Sequence, residues 1–158
     1  MSGSLVLVAF VVGDRRLALE LGVVERVLPM AAVTPLPLAP DVVLGAINVA
    51  GTIVPVFDVR RRLGMPERHY GPDARLVLAR TARRVVALPA DDVHGTCAVD
   101  PAAITSADAL APGMDHIAGA VALDDDMLLI GDLDAFLTAD EERLLEPALA
   151  EAGGDRRV

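Results

Sequence analysis

The residues able to do chemistry are few and widely spaced. His69, His94 and His116 lie more than twenty positions apart, and none has a second His or Cys at the spacing that metal ligation requires. Cys97 is the single thiol. No cluster of cations or helix start surrounds it to depress its pKa, so it reads as a small, half-buried residue rather than a nucleophile. Asp124, Asp125 and Asp126 are acidic like a calcium loop but lack its alternating ligands, its central Gly and its terminal Glu, so they read as a solvated turn. Asp91 with Asp92, and Asp132 with Asp134, are candidates for an acid and base pair. A small hydrolase or ligand-binding barrel would need Asp91, Asp132 and His116 to converge. No phosphate-binding glycine loop, dinucleotide fingerprint or nucleophile elbow is present. No catalytic residue, metal or cofactor is therefore expected.

The elements that would position these groups are mostly strands. Leu5 to Val12 is an apolar, β-branched run followed by the turn signal Gly13-Asp14, and Leu17 to Leu21 alternates with period two, which predicts a hairpin. Leu21, Val24 and Val27 recur every three residues, compatible with a helical turn or a bent strand. Pro29, Pro35, Pro37 and Pro40 exclude helix and central strand, and the apolar residues between them predict a loop packed on the body of the protein. Val42 to Ile47 and Thr52 to Val59 flank Asn48-Val49-Ala50-Gly51, a second hairpin.

Gly64, Pro66, Gly71 and Pro72 mark an expected boundary between two lobes near residues 64–73. Strands at Arg75 to Ala79 and Val85 to Leu88 follow. His94 to Leu110 reads as turn and irregular structure, and Ile117 to Leu123 with Met127 to Leu133 as a third hairpin. Thr138 and Glu141 have the spacing of a capping box, so one helix begins there. Pro147 is expected to kink or shorten it, with residues 147–158 forming its end and a frayed tail. Many short strands, one helix and no βαβ alternation make this an all-β chain.

Composition limits the partners. The 158 residues carry a formal charge of −9, which disfavours nucleic acid. All fourteen cations are Arg, and only Arg60-Arg61-Arg62 run together, too few for an anionic membrane surface. Even the most apolar stretch, Leu44 to Phe57, is broken by Asn48, Gly51, Thr52 and Pro55, so membrane insertion is not expected. A lone cysteine suits a reducing compartment, and a cytoplasmic protein is expected. What remains is a soluble interaction module.

The order of the segments resembles the CheW family of chemotaxis coupling proteins from about Leu5 to Leu145. Pro35 to Pro40 followed by Gly45-Ala46-Ile47-Asn48-Val49-Ala50-Gly51-Thr52-Ile53-Val54-Pro55-Val56-Phe57-Asp58-Val59-Arg60 is similar to that family's proline approach, G-x-x-N-L-R-G turn and I-V-P-V-x-D-L-R strand. Val24-Glu25-Arg26-Val27 occupies the place of its V-x-E-V. Arg84 to Val93, Ile117 to Val121 and Leu128 to Leu133 are similar to its later segments.

The resemblance implies one domain over residues 4–146, built of two small five-stranded SH3-like barrel lobes with a short C-terminal α-helix. It implies a scaffold, not an enzyme, that joins chemoreceptor cytoplasmic tips to the regulatory domain of a CheA-type histidine kinase. A kindred alternative is an adaptor of a non-flagellar pathway, such as a pilus system, that binds kinase but not receptor. Val24, Arg26, Val27, Asn48, Val49, Ala50 and Gly51 are the implied partner-facing positions. Asn48 and Gly51 are equally readable as turn residues, and Val54, Pro55 and Val56 as strand and core. The chain departs from the pattern at Ala50, where the family usually has an Arg associated with receptor binding, and at Arg26, where it often has Glu. An alanine cannot make the multidentate hydrogen bonds of a guanidinium.

Overall fold

The structure is a computed structural model that describes residues 4–106, 116–123 and 126–155. The N-terminal hairpin is β1 (Leu5–Val12) and β2 (Arg15–Glu20), closed by Gly13 at φ +61°. A Cβ on Gly13 would lie 2.7 Å from the Met65 methyl and 3.2 Å from an Arg60 guanidinium nitrogen, so both space and backbone demand glycine. One 3₁₀ turn, Leu21–Val23, leads into β3 (Val24–Pro29), which resolves the three-residue recurrence into a turn followed by a strand.

After the proline loop come β4 (Val43–Val49), β5 (Thr52–Phe57) and a single helical turn, α1 (Val59–Arg62), N-capped by the Asp58 carboxylate. Then follow β6 (Arg75–Arg80), β7 (Val85–Ala90), β8 (Asp92–Val99), β9 (Ile104–Ser106), β10 (Ile117–Ala122), β11 (Met127–Gly131) and α2 (Ala139–Asp155).

Two sheets result, one ordered β8-β1-β2-β11-β10-β9 and the other β3-β6-β7-β5-β4. The second has the five strands expected, and the three-residue β9 gives the first a sixth. Neighbours are antiparallel except β2 with β11 and β5 with β7. The chain therefore starts in the first lobe, crosses to the second at residues 21–23 and returns at Asp91. The lobe boundary expected near 64–73 is corrected accordingly: its Gly and Pro residues punctuate the connection from α1 to β6 inside the second lobe.

Three apolar clusters hold the lobes. In β6, Leu76 and Leu78 point into the second lobe's own core, while Val77 and Ala79 point into a core shared by both sheets. In β2, Ala18 faces the first lobe's core, and Leu17 and Leu19 face the shared one. A strand buried on both faces reads as a continuous apolar run, as Leu76 to Ala79 of β6 does. Phe136 and Leu145 close the shared core, and the Phe136 ring stacks on Phe57 at 4.7 Å.

Two further expectations are corrected. His94 to Val99 is not irregular but belongs to β8, an edge strand with polar Asp92, His94 and Thr96 exposed and Val93, Cys97 and Val99 partly covered. Its pairing with β1 supplies the order that its own sequence does not suggest. Pro147 does not end α2, which continues to Asp155. The capping box forms as read: the Thr138 N–H donates to Glu141 Oε1 at 2.9 Å and the Glu141 N–H to Thr138 Oγ1 at 3.1 Å.

The proline loop packs as expected through Met30, Val33 and Leu36, but Leu38, also expected to pack, faces solvent, and Ala39 packs in its stead. Thr34 bridges Ala46 on the edge of β4, and a Cβ on Gly45 would lie 2.2 Å from the Thr34 carbonyl oxygen, so Gly45 admits the loop. The Asp124-Asp125-Asp126 turn falls largely outside the described residues.

Candidate interaction surfaces

The β4–β5 hairpin ends at the pair Val49 and Thr52, leaving Ala50 at φ +49° and Gly51 at φ +92° as its two central residues. Positive φ at both positions matches the right-handed twist of the flanking strands. The Gly51 N–H donates to Asn48 Oδ1 at 2.8 Å. Asn48 thus shapes the turn, and Ala50 holds its exposed tip with a methyl group only.

Val24, Arg26 and Val27 lie on β3, at the other end of the strand order. A bulge between Val24 and Arg26 inserts Glu25, whose carboxylate accepts from Arg80 at 2.5 Å. Arg26 is exposed and has no ion-pair partner among the described residues, and Val27 is 39% exposed. The seven positions therefore form two groups on opposite edge strands rather than one patch.

Beside β3, a cleft of about 190 Å³ opens between the lobes. It is lined by Leu19, Glu20 and Ile130 from the adjacent strands β2 and β11, by Val23, Asp132 and Asp134, and by Arg80 from the second lobe. Sequence reasoning missed it, because its residues come from positions 19 to 134 and only the sheet order brings them together.

Behind the cleft, charged groups join the lobes. Arg60 is 5% exposed and donates to Asp91 Oδ2 at 2.7 Å; the same oxygen accepts the Gly13 N–H at 2.6 Å. The Tyr70 ring lies 5.3 Å from the Arg60 guanidinium carbon, and its hydroxyl is pushed up to about 12 by burial and then by the nearby Asp58 carboxylate. Arg62 donates to both oxygens of Glu141 and lies over Phe136. Burial alone would raise the Glu141 pKa, but the hydrogen bonds from Arg62 and Thr138 outweigh it and hold the carboxyl below its usual range. Arg84 pairs with Glu142 and Glu146, tying α2 to the second lobe. The Arg60-Arg61-Arg62 run is thus committed within the molecule, Arg61 meeting Glu67 and the Asp41 carbonyl.

These contacts also decide the converging-acid idea. Asp132 and His116 are brought together, the Asp132 N–H donating to the His116 carbonyl at 2.9 Å. Asp91 is turned to Arg60 and Gly13 instead, and the Asp132 side chain caps a 3₁₀ turn through the Asp134 N–H. The three do not line a common pocket.

The CheW-like domain family matches residues 6–141. The chain belongs to that family. It is 29% identical over 142 residues to the chemotaxis protein CheW of Rhizobium meliloti, covering 89% of this chain and 92% of that one. Against the probable chemotaxis protein CheW of Rhizobium etli it is 28% identical over 139 residues, covering 85% and 88%. Protein FrzA of Myxococcus xanthus is 37% identical over 86 residues, 54% of each chain. Among solved structures, the scaffolding protein TtCheW from Thermoanaerobacter tengcongensis superposes with a TM-score of 0.78 at 24% identity, covering 89% of this chain and 96% of that one. The two-lobe β architecture is that of the CheW-like fold, and the chain is a coupling adaptor of the chemotaxis type. Among the described residues, no helix is long and apolar enough to cross a membrane.

Proposed function

We propose that this adaptor works in the cytoplasm without catalysing a reaction, joining the regulatory domain of a CheA-type histidine kinase to the cytoplasmic tip of a chemoreceptor. The match over nearly the whole chain carries this reading. The partner-facing elements are the β3 edge, with Val24, Arg26 and Val27, and the hairpin tip from Asn48 to Gly51. Coupling by such an adaptor is differential binding: its contacts with kinase and receptor must differ between active and inactive arrangements.

Ala50 favours a second form of the same reading, in which kinase binding is retained and receptor binding is weak. The tip offers a methyl where a guanidinium would make charge-assisted hydrogen bonds. Calorimetric titration of the purified chain with a kinase regulatory domain and, separately, with a receptor tip fragment tests both. Kinase binding is expected in each form. Ala50→Arg is expected to tighten the receptor by about tenfold, roughly 1.4 kcal/mol. No affinity for the kinase domain would overturn the adaptor reading; unchanged receptor affinity in Ala50→Arg would remove the tip from the receptor surface.

A further inference from the structure

Away from the cleft, an apolar groove of about 680 Å³ runs between the second half of α2 and the loop from Thr34 to Leu38, floored by the β4–β5 hairpin. Two apolar side chains stand exposed at its margins: Leu38 is 88% exposed and Leu144 51%. Leu38 also sits at φ +68°, a conformation disfavoured for a branched side chain. Strain spent on presenting a leucine to solvent contributes nothing to this lobe's own packing, and such outliers gather at binding sites.

The groove's chemistry selects its occupant. An added strand is blocked at Ala46, because Thr34 already exchanges both backbone hydrogen bonds with it, at 2.9 and 2.8 Å. An occupant must therefore satisfy its own backbone, as an α-helix does. Glu151 is the one charged side chain among the residues lining the groove, and it has no ion-pair partner among the described residues. A second copy of this chain, with its net charge of −9, would bring like charge to like. We infer that this groove docks a cationic amphipathic helix of another protein, with leucine-type side chains entering between Leu38 and Leu144 and a Lys or Arg meeting Glu151. This site is separate from the β3 edge but shares Asn48 with the hairpin tip, and so adjoins one of the two partner-facing elements proposed above.

The test uses the full chain and a synthetic peptide of about 18 residues, five helical turns, with Leu on one face, Lys on the other and a single Trp among the leucines. The protein has no Trp, so peptide fluorescence reports alone. A saturable blue shift is expected. The double variant Leu38→Asp, Leu144→Asp, altered only at exposed positions, is expected to weaken binding by about tenfold or more, and Glu151→Arg to weaken it severalfold with a shallower salt dependence. Absence of saturable binding, equal binding by the double variant, or equal binding of a scrambled peptide of the same composition would overturn the proposal. A dimer in sedimentation velocity that the double variant abolishes would assign the groove to a second copy and overturn it equally. These variants are expected to leave kinase-domain affinity unchanged, which separates this outcome from failure of the adaptor assignment.

Discussion

The joint between the lobes and the hairpin tip use polar residues in opposite ways. At the joint, Arg60, Arg62 and Arg84 each meet a carboxylate, and the apolar surround leaves those charges few alternatives. At the tip, Asn48 spends its side-chain oxygen on the turn, and Ala50 presents almost nothing. Charge at the joint ties the two lobes together, whereas Arg26 on the exposed β3 edge has no ion-pair partner among the described residues and is left facing solvent. Changes at the joint should therefore move stability, and changes at the edges should move binding.

The largest break in this contrast is expected from Asp91→Ala. It strands the buried Arg60 guanidinium and frees the Gly13 N–H, so urea denaturation should show a loss of about 3 kcal/mol. If the variant folds as stably as the native chain, the joint is not what orients the lobes.

A smaller effect, at most about 1 kcal/mol, is expected at Glu141. Its folded pKa lies below its ordinary value of 4.5, so its contribution is complete above that pH and is lost as pH falls through the folded value. Stability measured across acid pH should decline less steeply in Glu141→Gln than in the native chain, and parallel curves would show that Arg62 gains nothing from the charge.

The smallest change is expected from Ala50→Gly, which relieves a side chain at φ +49°. Thermal unfolding should show stabilisation of under about 1 kcal/mol, because glycine also gains freedom in the unfolded chain. A destabilised variant would mean that the Ala50 methyl makes a favourable contact.

The contrast also marks what the sequence made legible. The β4–β5 hairpin and the capping box at Thr138 and Glu141 were readable because their determinants lie within a few residues of one another. The β8 strand was not, since its order comes from β1, about ninety positions earlier, and its exposed face is polar. Nor was the division into lobes: Gly64, Pro66, Gly71 and Pro72 are true breakers, but a breaker marks a bend and not which sheet the chain enters next. The proposed partner-facing positions rest on family resemblance alone, and the cleft beside β3 had no signal at all because its walls are assembled by long-range pairing.

The double crossing of the chain between lobes bears on how the protein is made. As synthesis proceeds, β1 and β2 precede the whole second lobe, whereas their sheet partners β8 and β11 follow it. The second lobe, a contiguous run from β3 to β7, can complete its strand pairing while the first hairpin still waits with an exposed apolar face. Such delayed, distant pairing slows folding and leaves strand edges open to wrong partners. Until β8 and β11 are available, the chain holds a full set of second-lobe strands beside a hairpin whose own partners are still missing.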